Sequence, residues 1–227
     1  MRRTGRLPDG TPVEANYLMG GRASVSGGPD AFLVQQPRGS RLPAHFHFNR
    51  QFQIFVEGSG ILGRHRVGPV TIHYAAGQTG YGPIIAGEHG LSYLTLRQTS
   101  ERGAHYLPAS AGSMEPGTPR RQKTVRTALV HERPLAGYCT PQIRELIAPD
   151  QSGLACWSIT LPPMGAAREP GEAGYDRFAV VLQGELVVPL AATNWSVVWF
   201  SAEEPLQYLA AGSPGARLLL MRFPLSA

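Results

Sequence analysis

The fold and the candidate site both depend on one stretch, Gly39–Gly58, which reads GSRLPAHFHFNRQFQIFVEG. Residues two apart on a strand point to the same face, so His45 and His47 can converge on one ion inside a barrel. Phe46 and Phe48 then point the opposite way and can pack against a neighbouring layer. The stretch therefore predicts a strand with a metal-binding face and an apolar face.

Composition favours an all-β protein. The 227 residues include 27 glycines and 20 prolines, so turn formers are frequent and many short elements are expected. Short runs rich in Val, Ile, Leu and aromatic residues recur between the turns, whereas helical periodicity is hard to find. Between about Thr99 and Thr124 this pattern stops, and we interpret 109–124 as a linker between domains 1–108 and 125–227.

Charge and cysteine usage exclude several classes of protein. The net charge of +5 comes almost entirely from arginine and lacks the aromatic interleaving or recognition helix of a nucleic-acid-binding protein. No segment approaches the roughly 18 apolar residues of a membrane span, and no signal peptide is evident, so we expect a cytoplasmic location. Cys139 and Cys156 lack zinc-type spacing and are interpreted as structural thiols.

The two halves of the chain align with each other. With a shift of 126, Phe52 falls on Phe178 and Gly58 falls on Gly184. With a shift of 125, AGEHGLSYLTLR, at 86–97, lies over AGSPGARLLLMR, at 211–222, and Ala, Gly, Gly, Leu and Arg match. We therefore predict two copies of one β unit.

The copies differ at the candidate ligands. In this alignment each candidate ligand of the first half is matched by a residue of another type in the second: His45 by Gly171, His47 by Ala173, Gln51 by Arg177 and His89 by Pro214. The first half is therefore expected to carry the chemistry, and the second to be a degenerate copy. Salt bridges are expected to fill the second barrel, where Glu172, Asp176 and Arg177 lie.

The run Gly39, five residues, His45-x-His47, three residues, Gln51, six residues, Gly58 resembles the first motif of the cupin superfamily, which has glutamate in place of the glutamine. Gly77, five residues, then Pro83 resembles the start of the second motif. The resemblance implies tandem jelly-roll β-barrels, a bicupin with one degenerate unit. It places the histidine of the second motif near Glu88, and His89 lies one position beyond.

The resemblance implies a metal site made of His45, His47, Gln51 and His89. Imidazoles and an amide oxygen suit a divalent transition metal such as Fe, Mn, Co, Ni, Cu or Zn. Two alternatives stay open: Glu88 faces the site instead of His89, and Gln51 orients a substrate instead of binding the metal. Replacing the usual carboxylate with glutamine leaves the site more positive, which favours an anionic ligand.

The function expected from these residues is a metal-dependent enzyme acting on a small organic molecule, foremost a non-haem-metal dioxygenase. A non-catalytic metal-binding or ligand-binding cupin and a metal-supported isomerase or lyase are the alternatives. An apolar stripe needs cover from the facing sheet, the second copy of the unit or a partner subunit; its members are Phe46, Phe48, Ile54 and Val56. Cupins often pair through such sheets, so the resemblance implies a homodimer. Other polar residues considered for the pocket or its mouth are Glu57, His65, His73, Tyr81 and Tyr93.

Overall fold

The computed structural model describes residues 1–20, 27–101, 103–127 and 134–225. The chain divides into two compact units, Met1–Val130 and His131–Ala227. Helical structure among the described residues is limited to short 3-10 turns at Ala111–Ser113 and Leu135–Gly137, so the all-β prediction is confirmed. None of the helical segments described is long and apolar enough to cross a membrane.

The first unit is built on a large antiparallel sheet whose central strands run in the order β1-β2-β3-β9-β6-β8-β11. The strands described in this unit are β1 (Arg2–Arg6), β2 (Pro12–Met19), β3 (Asp30–Gln36), β4 (Arg41–Leu42), β5 (His45–Phe46), β6 (Gln51–Leu62), β7 (His65–Val67), β8 (Thr71–Ala75), β9 (Ile84–Arg97), β10 (His105–Tyr106) and β11 (Gln122–Arg126). Strand β5 pairs with β10, β4 with β9, and β7 with β6.

Two long strands bend so that the sheet can enclose an interior. Strands β6 and β9 pair along most of their length, with shifts in register around Gly58. Gly58 and Gly90 face each other there with φ of 77° and 76°, and a Cβ on Gly58 would lie 2.2 Å from the Gly90 carbonyl oxygen. Only glycine tolerates this close approach and this backbone conformation, which explains the glycine at this position of the motif.

The second unit is built around β15 and β18, which pair with each other. Its strands are β12 (Gln142–Ile147), β13 (Ala155–Leu161), β14 (Ala166–Arg168), β15 (Arg177–Val188), β16 (Ala192–Thr193), β17 (Val197–Phe200) and β18 (Tyr208–Arg222). Gly184 and Gly215 meet as Gly58 and Gly90 do, with φ of 81° and 79°. A Cβ on Gly184 would lie 2.1 Å from the Gly215 oxygen.

Arg97 and Arg222 occupy corresponding positions in the strand pairing of the two units. In the first unit Arg97 pairs with both Gln51 and Asp30. In the second unit Arg222 pairs with Arg177 and Ala155, and Arg177 is the residue that the shift of 126 aligns with Gln51.

The segment 109–124, which we interpreted as a linker, contains part of a strand of the first unit. Strand β11 lies within 109–124 and just beyond it, and it pairs with β8 as an edge strand of the first sheet. Thr124 lies opposite His73 in this pairing, and its hydroxyl is 2.9 Å from His73 Nδ1. The Gly- and Pro-rich composition concealed one short strand, because a single edge strand needs few apolar residues.

The predicted apolar stripe is largely covered within the chain. Phe46 and Ile54 are fully buried, and Phe46 stacks on His105 with ring centroids 5.1 Å apart. Phe48 is 41% exposed, and Val56 is half-buried. Burial of Phe46 and Ile54 therefore does not depend on a second copy of the chain.

Candidate functional site

The two motif histidines lie side by side in a cavity of the first unit. His45 belongs to β5, and its backbone exchanges two hydrogen bonds of 3.0 Å with Tyr81. The rings of His45 and His47 have centroids 5.3 Å apart. Both line a cavity of about 220 Å³, together with Gln51, Tyr81 and other residues of this unit. The structure thus brings together three of the four predicted ligands, His45, His47 and Gln51.

His45 is held by a directed series of hydrogen bonds. Its Nδ1 lies 2.8 Å from the Pro43 carbonyl oxygen, which can only accept, so Nδ1 carries the proton. Nε2 therefore accepts from the Tyr81 hydroxyl at 2.9 Å. The Tyr81 oxygen in turn accepts a hydrogen bond from Gln51 Nε2. The lone pair that His45 would offer a metal is thus occupied by a phenol.

Arg97 completes the series and extends it to His47. Cross-strand pairing places Arg97 beside Gln51, and its Nε donates to Gln51 Oε1 at 3.0 Å. Its Nη2 lies 3.2 Å from the ring nitrogens of His47. Because Glu101 Oε1 faces His47 Nδ1 at 3.6 Å, we assign the proton to Nδ1 and the accepting lone pair to Nε2. The guanidinium also lies 5.3 Å from the Phe32 ring centroid.

Glu101 is a site residue that the sequence did not indicate. It lies in the segment without strand pattern, and its two carboxylate oxygens accept from the backbone N–H groups of Phe48 and Asn49, each at 2.8 Å. Burial raises the pKa of this carboxyl, but contacts with His47 and these two N–H groups outweigh it and leave the pKa below its usual value. Glu101 is therefore an ionised group that fixes the turn after His47.

Burial keeps both imidazoles neutral. The pKa of His45 falls to about 4, chiefly because the ring is buried. The pKa of His47 falls to about 3 through burial and the nearby charge of Arg97. Burial also raises the pKa of Tyr81, so its hydroxyl keeps its proton. The one permanent charge among these interacting groups, apart from Glu101, is the Arg97 guanidinium.

His89 is not part of this site. It and Glu88 are both exposed in the bend of β9, eight and nine residues along the strand from Arg97, and neither lines the cavity. The assignment of His89 as a ligand is therefore wrong, and the alternative with Glu88 fails for the same reason. The position beside His45 is filled instead by Tyr81.

These residues do not fit a resident divalent metal in the observed arrangement. No group of three or more His, Cys, Asp or Glu side chains in the described ranges is placed to hold a metal ion. The available lone pairs of His45 and His47 and the oxygen of Gln51 all accept hydrogen bonds. Arg97 adds a positive charge where a cation would have to bind.

The remaining candidates divide between cavity, interior and surface. Tyr93 lines the cavity, whereas Glu57 and His65 are exposed. His73 is fully buried, with its ring centroid 5.1 Å from that of Tyr81. Cys139 and Cys156 are free thiols, the first exposed and the second buried.

The second unit differs at the position that the shift of 126 aligns with Gln51. Arg177, which takes the place of Gln51, forms a buried ion pair with Glu169 at 3.1 Å. The predicted salt bridge is therefore present, but its acid is Glu169, whereas Glu172 is exposed and Asp176 caps the Ala202 N–H at 2.8 Å.

Comparison with known proteins supports the fold. A candidate dioxygenase from Nostoc punctiforme has a similar structure, with a TM-score of 0.63 and 12% identity over 99% of this chain and 79% of that one. Oxalate decarboxylase from Bacillus subtilis, a protein with Mn(II) centres, is similar with a TM-score of 0.60 and 14% identity over 100% of this chain and 78% of that one. No family model and no curated protein matches the chain. At this identity the likeness shows a shared fold alone, the all-β cupin fold.

Proposed function

We propose that the first unit is a ligand-binding module whose cavity takes a small organic carboxylate on Arg97. The observation that carries the proposal is a guanidinium that lines the cavity and is held in place by three contacts, to Gln51, His47 and the Glu101 carbonyl. A guanidinium has five N–H groups, so its contacts with the described part of the chain leave two for a ligand. Arginine presents them in a planar fork that matches a carboxylate.

The charges of the residues that line the cavity favour the binding of an anion. Among the described residues Arg6 and Arg97 line the cavity against one acid, Glu101, so with neutral histidines their formal charge is +1. Glu101 is already engaged by two backbone N–H groups, which reduces its competition with a ligand for Arg97. A positioned, buried cation then binds an anion without first having to be ordered.

We also propose that the chain is a bicupin whose second unit is a degenerate copy that supports the first. The matched registers of Arg97 and Arg222 support this proposal, as do the matched glycine pairs at the strand bends. A homodimer and a cytoplasmic location remain proposals from the sequence. Sedimentation velocity tests the first and cell fractionation tests the second.

Calorimetric titration tests the proposed function. Acetate and benzoate should bind the wild-type protein with one site per chain, and Arg97→Met should weaken binding at least tenfold, because a charge-assisted contact is lost. Arg222→Met, at the equivalent position of the second unit, is the matched control and should leave affinity unchanged. Equal affinity of wild type and Arg97→Met for both acids would contradict the proposal.

A metal-dependent dioxygenase is the second candidate. It is favoured by two neutral imidazoles, His45 and His47, that face one cavity in a fold shared with the dioxygenase and decarboxylase named above. Metal binding would require Arg97 to leave both His47 and Gln51. Elemental analysis of the purified protein beside a His45→Ala, His47→Ala variant decides between the candidates: stoichiometric metal in the first alone supports the dioxygenase.

A further inference from the structure

A second polar layer lies directly below Arg97 and Gln51 in the first unit. It consists of Thr95, Gln53 and His73, which are cross-strand partners on β9, β6 and β8. Side chains of paired residues point to the same face of a sheet, so these three lie together. They are two residues along their strands from the Arg97 layer, a step of roughly 6–7 Å. Thr95 and Gln53 line the cavity.

Two members of this layer have unused hydrogen-bonding atoms. Gln53 is 3% exposed and His73 is fully buried. Gln53 Oε1 and His73 Nε2 find no hydrogen-bond partner among the residues that the structure describes. Buried polar atoms are nearly always paired, so an unpaired amide oxygen on a cavity wall indicates a ligand group that pairs with it.

The second unit shows that the fold does not need this polarity. The equivalent cross-strand partners there are Leu220, Ala179 and Val198, and all three belong to its hydrophobic core. The same strand pairing therefore forms with apolar side chains at these positions as well as with polar ones. The polar set is therefore specific to the unit with the cavity.

We infer that this layer receives a hydroxyl group of the ligand whose carboxylate binds Arg97. The inference rests on the proposed function and names its ligand class: a small carboxylic acid with a hydroxyl several bonds away across an apolar spacer. A hydroxyl both donates and accepts, so it suits the oxygen of Gln53 and the hydroxyl of Thr95. The layer contains no carboxylate, which disfavours an ammonium group. Phe32 and Tyr93 line the cavity and suit the spacer.

The probes are 4-hydroxybenzoate and benzoate, which differ by the hydroxyl alone. Calorimetric titration of the wild-type chain should show 4-hydroxybenzoate binding at least tenfold more tightly. Gln53→Leu should remove this preference and leave the benzoate affinity within about threefold, and Gln53→Met is a second variant should the first fail to fold. Gln35→Leu, on β3 outside the cavity, is the matched control and should keep the preference.

Failure of this inference differs from failure of the proposed function. Equal wild-type affinities for the two aromatic acids would overturn the ligand class and leave carboxylate binding at Arg97 intact. A preference that survives Gln53→Leu would overturn the role of the layer. Binding of acetate but of neither aromatic acid would exclude the apolar spacer. Binding of no acid would overturn the proposed function and, with it, the inference.

Discussion

Arg97 and Arg222 hold the same position in the strand registers of the two units but have different surroundings. Arg97 lines a cavity and contacts Gln51 and His47. Arg222 lies 5.3 Å from the Trp157 ring centroid and 4.3 Å from that of Tyr175, and its Nε donates to the Gly153 oxygen at 2.7 Å.

Two further positions of the strand registers carry different side chains in the two units. Trp157 stands where the first unit has the smaller Phe32, and Arg177 with Glu169 stands where it has Gln51. In the second unit a larger aromatic group and an ion pair occupy these positions. At these two positions the first unit has the smaller side chains, and hydrogen bonds hold Arg97 at the edge of its cavity.

The largest effect on stability is expected in the second unit. Glu169→Gln removes the acid from a fully buried ion pair and leaves the Arg177 charge uncompensated, which should lower the free energy of unfolding by about 3–5 kcal/mol. Denaturant unfolding measures it, with the exposed Glu172→Gln as control. Benzoate binding by the folded variant should not change. A loss below about 1 kcal/mol would show that this ion pair does not hold the second unit together.

The stability of the first unit should fall at acidic pH. The pKa values of His45, His47 and His73 are lowered by burial to about 4, 3 and 3. Between pH 6.5 and these values the unfolded chain binds more protons than the folded one, so stability falls as pH falls. At pH 4.5 each histidine should have lowered the free energy of unfolding by about 2–3 kcal/mol relative to neutral pH.

Unfolding free energies of the wild type and His73→Gln between pH 7 and 4.5 measure this effect, and the variant should lose less stability on acidification. The exposed His89→Gln should follow the wild type. Asp30 acts in the opposite sense, because burial raises its pKa to about 6 against the charge of Arg97, so its contribution favours the folded state as pH falls from 6 towards 4. Parallel pH profiles for His73→Gln and wild type would contradict the account.

The smallest effect tests the hydrogen-bond series. Tyr81→Phe removes the hydroxyl that joins Gln51 to His45 and leaves two buried groups unpaired, at a cost of about 1–2 kcal/mol in unfolding free energy. Tyr208→Phe, at an exposed tyrosine of the second unit, should change it by less than about 0.5 kcal/mol. Similar values for the two variants would show that the series does not stabilise the site.

The sequence predicted the scaffold better than the site because glycine spacing and apolar alternation reflect backbone geometry directly. The strands and the glycine bends followed from these patterns. The motif resemblance indicated His45, His47 and Gln51, and Tyr81 and Tyr93 were also candidates for the cavity or its mouth. His89 was misplaced because linear spacing does not reveal that β9 bends there and leaves the side chain exposed.

Arg97 was visible in the alignment of the halves, but its presence in both made it resemble scaffold. Only the three-dimensional surroundings distinguish it from Arg222. Glu101 gave no signal, because its role depends on the backbone N–H groups of a turn some fifty residues away.

We propose above all that the first unit, and not the second, binds a small carboxylate, and that Arg97 is the residue that binds it. Anomalous diffraction from a crystal of the protein with 4-bromobenzoate tests it most directly. We expect one bromine site per chain, in the first unit, with the carboxylate within hydrogen-bond distance of the Arg97 guanidinium. A bromine site beside Arg222, or a metal ion between His45 and His47 with Arg97 displaced, would contradict it.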